Sequence, residues 1–101
     1  MNKIPPPNSR QQAAEAIAIQ ALGYLAEDDE RLGRFLALSG LDAGEIRAAA
    51  TQPGFLAGVL DHVAGDETLL VAFAEHLGIA PTEVGRAHAE LTGGHWQRDV
   101  P

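Results

Sequence analysis

Hydrophobic residues recur every three or four positions along most of the chain, which is the spacing of an amphipathic α-helix. The first such stripe predicts helix 1 over about residues 10–26. Asn8 or Ser9 offers its N-cap; with Ser9 at this position, Gln12 falls at N3 and completes a capping box. The predicted buried face of helix 1 consists of Ala14, Ile17, Ala18, Ala21, Leu22 and Leu25.

Two more helices are predicted in the first half of the chain. Asp28 caps helix 2, which Gly40 ends in the left-handed conformation that glycine adopts at low cost. Asp42 caps a short helix 3, with Glu45 at its N3 position, and this helix ends before Pro53. The predicted buried face of helix 2 consists of Leu32, Phe35 and Leu36.

The second half of the chain predicts three helices in the same order. Helix 4 covers about residues 54–64, and helix 5 runs from a cap at Asp66 to a stop at Gly78. Helix 6 begins with Pro81, a position that proline tolerates well, and extends to about Leu91. The buried faces of helices 4 and 5 are predicted to contain Phe55, Leu56, Val59, Leu60, Val63, Leu69, Leu70, Phe73, Ala74 and Leu77.

Both ends of the chain are predicted to lie outside the helical domain of residues 10–91. Residues 1–9 contain three consecutive prolines and predict a flexible arm. Residues 92–101 contain a Gly-Gly pair and the single tryptophan, Trp96, and predict an irregular tail. The tryptophan either docks on its own domain or is offered to a partner, since tryptophan is enriched at binding hot spots, or the tail is disordered.

The second half of the chain aligns with the first, without a gap, at an offset of 38 residues. The matched positions are helix caps, stop glycines, N3 acids and the apolar face between them. Identical pairs are Leu22/Leu60, Ala26/Ala64, Asp28/Asp66, Leu32/Leu70, Phe35/Phe73, Gly40/Gly78, Glu45/Glu83 and Ala49/Ala87. Two copies are fewer than an open solenoid needs. We therefore predict an all-α fold of about six short helices, in which repeat units of about 16–50 and 54–88 pack as one closed, pseudo-twofold bundle.

The positions at which the two copies differ are the expected place for function, because the matched positions explain folding. Arg31 and Arg34 of the first copy align with Leu69 and Ala72 of the second. Tyr24 aligns with His62, and the Trp96 tail has no counterpart.

The composition narrows the class of partner. Seven Lys and Arg against fourteen Asp and Glu give a formal net charge of −7, which repels the phosphates of nucleic acids and anionic membranes. The absence of cysteine excludes disulfides, thiolate metal sites and cysteine nucleophiles. No stretch reaches the roughly 18 apolar residues of a membrane span. A length of 101 residues predicts a single domain. Because the sequence has neither a membrane span nor cysteines, we expect a cytoplasmic location.

Two segments, residues 35–50 and 73–90, have the helix–turn–helix outline of a DNA-binding motif. The second helix of the first outline carries one cation, Arg47. The second helix of the other carries Arg86 and His88 beside two glutamates, Glu83 and Glu90. A structural helical corner is therefore favoured, and a DNA-associated regulator is kept as the alternative.

No constellation of residues predicts chemistry. None of the four histidines (His62, His76, His88, His95) forms the i, i+4 pair that zinc sites prefer. The densest set of metal-ligand types, Asp61-His62 beside Asp66-Glu67, is typical of a helix end followed by a cap, and the acidic residues 27–30 are typical of a helix start. The few hydroxyl groups lack a nucleophile-elbow pattern. We expect no catalytic, cofactor-binding or metal-binding residues, and no enzyme.

Four segments of the chain resemble one family of proteins. They are ALGYLAED at 21–28, LGRFLALSGL at 32–41, FLAGVLD at 55–61 and DETLLVAFA at 66–74. Over about residues 14–91 the chain resembles domain-of-unknown-function family 3572, which consists of alphaproteobacterial proteins of similar length. The resemblance implies a bacterial cytoplasmic protein and supplies no activity and no functional residues. The sequence thus favours a small acidic protein-interaction module, with another protein as the expected partner and a homodimer as the alternative.

Overall fold

A computed structural model describes the backbone of residues 9–98 and the side chains of residues 9–52 and 54–92. The described residues form helices and no strand, which confirms the all-α prediction. The elements are α1 (Ser9–Ala26), α2 (Asp29–Ser39), a 3₁₀ turn (Ala43–Glu45) leading into α3 (Ile46–Ala49), α4 (Pro53–Ala64), α5 (Glu67–Leu77) and α6 (Pro81–Arg98).

The predicted caps and stops set the bounds of the central helices. The Asp28 carboxylate accepts a hydrogen bond from the backbone N–H of Glu30 at 2.9 Å, and the Asp66 carboxylate accepts one from Leu69 at 3.2 Å. Each bond satisfies a donor that a helix N-terminus leaves free. Gly40 and Gly78 end α2 and α5 with φ of 77° and 79°, in the left-handed region.

Helix α6 is longer than predicted. It continues to Arg98, so the prediction of an irregular tail from Thr92 was wrong for residues 92–98. Two interior glycines cost a helix about 1 kcal/mol each. That cost is offset because Leu91 packs against the core and the Thr92 hydroxyl donates a hydrogen bond to the His88 carbonyl at 2.8 Å. Residues 99–101 and the side chain of Trp96 lie outside the described part of the chain.

The arm is also shorter than predicted, because Ser9 lies within α1 instead of preceding it. Residues 1–8 lie outside the described residues.

The core is built from aliphatic side chains of α1, α4 and α6, with aromatic rings from α1, α2 and α5. Helix α6 packs against both α1 and α4, which also pack against each other. Alanines 14, 18 and 21 on α1 are almost fully buried, so small side chains let the helices approach closely. The buried set is Ala14, Ala18, Ala21, Tyr24, Leu25, Phe35, Leu56, Ala57, Val59, Leu60, Val63, Phe73, Ala74, Val84 and Ala87.

The repeat of the sequence reappears as a repeat of structure. Helices α1 and α4 end at Ala26 and Ala64, α2 and α5 cover ranges 38 residues apart, and the 3₁₀ turn and α6 begin at Ala43 and Pro81. Residues at equivalent positions are buried together. The buried pairs are Ala18/Leu56, Ala21/Val59, Leu25/Val63 and Phe35/Phe73.

The third helices of the two units are not equivalent in their packing. On α6, Val84 and Ala87 are buried, whereas their counterparts on α3, Ile46 and Ala49, are half-buried. Because α6 contacts both α1 and α4, it covers the surface that a symmetric placement of α3 would need. The pseudo-symmetry thus extends over α1–α2 and α4–α5.

No helix within the described residues is long and apolar enough to cross a lipid bilayer.

Candidate interaction surface

Two open cavities flank α2. The larger, which we call the α2–α4 groove, has a volume of about 690 Å³, and the smaller, which we call the axial cavity, has about 350 Å³. The α2–α4 groove is lined by Arg34, Phe35, Leu38, Ser39, Leu41, Gly54, Phe55, Gly58, Asp61, His62, Gly65 and Asp66. The axial cavity is lined by Tyr24, Asp28, Glu30, Arg31, Arg34, His62, Asp66, Thr68, Leu69 and Ala72.

The ten residues of the axial cavity are five pairs related by the 38-residue offset: Tyr24/His62, Asp28/Asp66, Glu30/Thr68, Arg31/Leu69 and Arg34/Ala72. Equivalent positions of the two units therefore line one cavity, which agrees with the predicted approximate twofold relation between them. Three of the pairs, Tyr24/His62, Arg31/Leu69 and Arg34/Ala72, are positions at which function was expected because the two copies differ there. The structure brings these positions together in one cavity.

Aromatic contacts across the axis repeat in the same way. The rings of Tyr24 and Phe73 lie 5.6 Å apart, and those of their counterparts, His62 and Phe35, lie 5.2 Å apart. Each contact joins a residue of one unit to a residue of the other. The interface between the two units therefore contains the same kind of contact twice, made by equivalent residues.

Arg31 fills one wall of the axial cavity with interactions inside its own unit. Its guanidinium lies 4.1 Å above the centre of the Tyr24 ring and donates to the Tyr24 carbonyl at 2.7 Å. Its Nε lies 3.6 Å from an Asp28 carboxylate oxygen. The opposite wall has Leu69 and His62 in place of this cluster. The cavity is thus polar on one side and more apolar on the other.

The α2–α4 groove has an aromatic floor and an exposed apolar rim. The rings of Phe35 and Phe55 meet edge to face at 5.9 Å. Leu38, at the rim, is 73% exposed. Gly54 and Gly58 form part of the α4 wall, and a Cβ at either position would have no neighbouring atom within 4 Å. Because these glycines have no side chains, the α4 wall leaves the groove open.

The surface related to this groove by the pseudo-twofold axis is different. The counterparts of Gly54 and Gly58 on α1 are Ala16 and Gln20. The counterpart of Leu38 is His76, whose ring lies 4.9 Å from that of Tyr24. The equivalent face of α1 therefore carries side chains where α4 carries glycines.

His62 stands where the two cavities meet, between charges of both signs. Partial burial lowers the pKa of His62, and Arg34 lowers it further, while the carboxylates of Asp66 and Asp61 oppose the shift. Asp61 also lies 3.2 Å from the His88 imidazole. The end of the groove near His62 thus contains two carboxylates and one guanidinium, whereas the end near Leu38 is apolar.

The three histidines with described side chains contact different partners. His62 packs on Phe35, His76 on Tyr24, and His88 contacts Asp61, while the His95 side chain lies outside the described side chains. Asp61, His62 and Asp66 do line one groove. Among the described side chains, no group of three or more His, Asp or Glu residues is arranged to hold a metal ion.

The two helix–turn–helix outlines differ in the helix that comes after the turn. In the first, α3 has four residues, and its Arg47 is exposed. In the second, α6 has 18 residues, but it buries Val84 and Ala87 against the core.

The α2–α4 groove was not among the predicted features of the chain. Two signals were present: Leu38 is apolar although it falls outside the predicted buried face of α2, and Gly54 and Gly58 are four residues apart on one face of α4. Their meaning depends on side chains of α2 and α4 lining the same groove, which the spacing within each helix does not show.

The chain belongs to a family described as proteins of unknown function, DUF3572, whose model matches residues 11–94. The resemblance found in the sequence is thereby confirmed. No curated protein and no solved structure has significant similarity to the chain.

Proposed function

We propose that this protein is a non-catalytic interaction module that binds another protein through the α2–α4 groove. The observation that carries the proposal is the coincidence of an aromatic floor, Phe35 and Phe55, with a leucine that is 73% exposed at the rim. A contiguous apolar surface of this kind on a small domain is typical of a binding site. Solvent exposure of Leu38 costs free energy that a partner would recover.

The polar groups near the groove support recognition and offer little for catalysis. Asp66 already caps α5, and Asp61 contacts His88. His62 has Phe35 as an edge-to-face neighbour and is partly buried. Such groups suit the polar rim that surrounds the apolar centre of an interface.

Leu38→Asp tests the proposal, because it places a charge on the exposed apolar rim of the groove and leaves the core intact. The protein and the variant would each be used to capture partners from the lysate of the source cells, and a photo-crosslinker at residue 38 would identify direct neighbours. We expect a reproducible partner that crosslinks at residue 38 and is lost in Leu38→Asp. Val71→Asp is the matched control, since Val71 is 41% exposed on α5 and lines neither cavity. Equal capture by all three proteins would overturn the proposal.

A DNA-associated regulator is the alternative, because Arg47 is exposed on a helix that contributes no buried residue to the core. A fluorescence anisotropy titration against duplex DNA at low salt distinguishes the two functions. We expect no saturable binding, since the net charge of −7 opposes contact with phosphate. Tight binding that weakens steeply with salt and is lost in Arg47→Ala would favour the alternative.

A further inference from the structure

We infer that the α2–α4 groove binds a cationic amphipathic helix contributed by another protein. The inference rests on the proposed function and specifies the chemistry of the partner. Four features of the groove support it: its length, its walls, its floor and its charge.

The length of the groove suits a short helix. Its lining residues on the α4 side extend from Gly54 to Gly65, which corresponds to roughly 16 Å along a helix axis. A helix of about three turns has the same length.

The walls favour a helix over an extended peptide. Both are α-helices, α2 and α4, whose backbone hydrogen bonds are satisfied internally, so they offer no strand edge to pair with. An extended peptide buried there would leave its own backbone polar groups without partners, whereas a helix satisfies them itself. Gly54 and Gly58, four residues apart on α4, also let a second backbone approach closely.

The floor and the rim supply contacts for the apolar face of such a helix. The partly exposed Phe55 lies at the base against Phe35, which is only 3% exposed, and Leu38 and Leu41 lie beside them. Apolar residues at positions i, i+3 or i+4, and i+7 of a bound helix would meet this surface.

The charges select the polar face of the partner. Asp61, whose side chain is 76% exposed, and Asp66 lie at the same end of the groove as Arg34, so carboxylates outnumber cations there. The whole chain carries a net charge of −7, which attracts a cationic segment and steers its approach. A second copy of this chain would bring a further −7 to the contact, so charge favours a different protein over a homodimer.

The position of Asp61 predicts the register of the bound segment. Gly54 and Asp61 are seven residues apart on α4, roughly 10 Å along the axis. A lysine or arginine of the bound helix should therefore lie about two turns from the apolar residue that enters at Gly54.

Fluorescently labelled synthetic peptides of 14 residues test the inference by anisotropy with the full-length protein. One peptide carries leucines at helical i, i+4 and i+7 spacing and lysines on the other face. The second replaces every lysine by glutamate. The third has the composition of the first in an order without an amphipathic face. We expect the lysine peptide to bind at least tenfold more tightly than either of the others.

Gly58→Gln is the matched variant, because it gives α4 the residue that α1 carries at the equivalent position, Gln20. Its Cβ meets no atom within 4 Å, so the fold has room for the side chain, and circular dichroism melting would verify folding. We expect Gly58→Gln to weaken the lysine peptide at least tenfold and Asp61→Asn to weaken it about threefold, while Val71→Asp leaves it unchanged.

Three results would overturn the inference. They are equal binding of the lysine and glutamate peptides, binding that Gly58→Gln leaves unchanged, and a dimer in sedimentation analysis that Leu38→Asp dissociates. If a partner still crosslinks at residue 38 in any of these cases, the proposed function survives and only the cationic helix is rejected. If no partner crosslinks there, both proposals fail.

Discussion

The two repeat units carry the same helix caps and stops, but they differ in what their third helix does and in the face they present. In the second unit, α6 crosses α1 and α4 and buries Val84 fully. In the first unit, Ile46 at the equivalent position on α3 is only half-buried. An internal repeat therefore does not ensure a symmetric molecule. Because α6 packs across both α1 and α4, its counterpart α3 cannot take the equivalent place.

A second difference between the units has a functional consequence. The face of α4 toward α2 carries glycines, whereas the equivalent face of α1 carries Ala16 and Gln20. The glycines line an open groove beside α2, whereas His76, the counterpart of Leu38, packs on Tyr24. The two units thus present different side chains at equivalent positions.

The largest expected effect is on the shared aromatic core. Phe73 is fully buried, so Phe73→Ala should lower the free energy of unfolding by about 3–5 kcal/mol. Phe35→Ala should cost about 1–2 kcal/mol less, because Phe35 lines the α2–α4 groove and water can fill the space it leaves. Urea denaturation of both variants measures the difference. Equal losses would show that the groove does not distinguish the two positions.

The third helices should differ next. Val84→Ala should lower the free energy of unfolding by about 2 kcal/mol, through the loss of buried methyl groups and the cavity they leave. Ile46→Ala removes more atoms but should cost less than about 1 kcal/mol, because the side chain is half-buried. Thermal unfolding followed by circular dichroism compares the two. A larger loss for Ile46→Ala would contradict the asymmetry of α3 and α6.

The two N-cap residues, Asp28 and Asp66, should contribute nearly equally to the free energy of unfolding. Equal contributions would show that the two units are equivalent at this position. Asp28→Ala and Asp66→Ala should each cost about 1 kcal/mol, because each carboxylate satisfies a backbone N–H of its own helix. Asp28→Ala should cost a few tenths more, because it also removes a partly exposed ion pair with Arg31, and such pairs contribute only a little. Denaturant titrations side by side check this. Costs that differ by more than about 1 kcal/mol would show that the two caps are not equivalent.

The smallest expected effect is on the pH dependence of the free energy of unfolding, through His62, the counterpart of Tyr24. Because the pKa of His62 is lowered in the fold from its ordinary value of 6.5, the unfolded chain binds a proton more readily as the pH falls through that value. The free energy of unfolding should therefore decrease from pH 7.5 to pH 5.5, and His62→Tyr should reduce this decrease. Urea denaturation at both pH values measures it. The same pH dependence in both proteins would exclude His62 as its source.

The sequence predicted the helices well where local signals decide them. Asp28, Gly40, Asp66 and Gly78 act within one turn of their own helix, so their roles follow from residue type and spacing alone. The prediction failed at α6, where the Gly-Gly pair was interpreted as a helix end. There the contact of Leu91 with the core outweighs the low helix propensity of glycine.

The candidate surface was predictable only in part. Three residues at which the copies differ, Tyr24, His62 and Arg31, line the axial cavity, and the expectation that function lies at such positions stays a prediction. The α2–α4 groove was not predicted, because Leu38 and the glycines of α4 are far apart in sequence. A surface built by two helices depends on their relative placement.

By itself, the sequence determined which segments are helical, where four of the helices begin or end, and which residues face inward. These properties depend on capping hydrogen bonds, left-handed glycines and the 3.6-residue period, all of which act over a few residues. Only the tertiary structure decided that α6 covers the α1–α4 pair while α3 does not, and that an apolar groove remains beside α2. Helices α3 and α6 follow nearly the same sequence pattern, but only one of them can pack against both α1 and α4. In the structure this helix is α6.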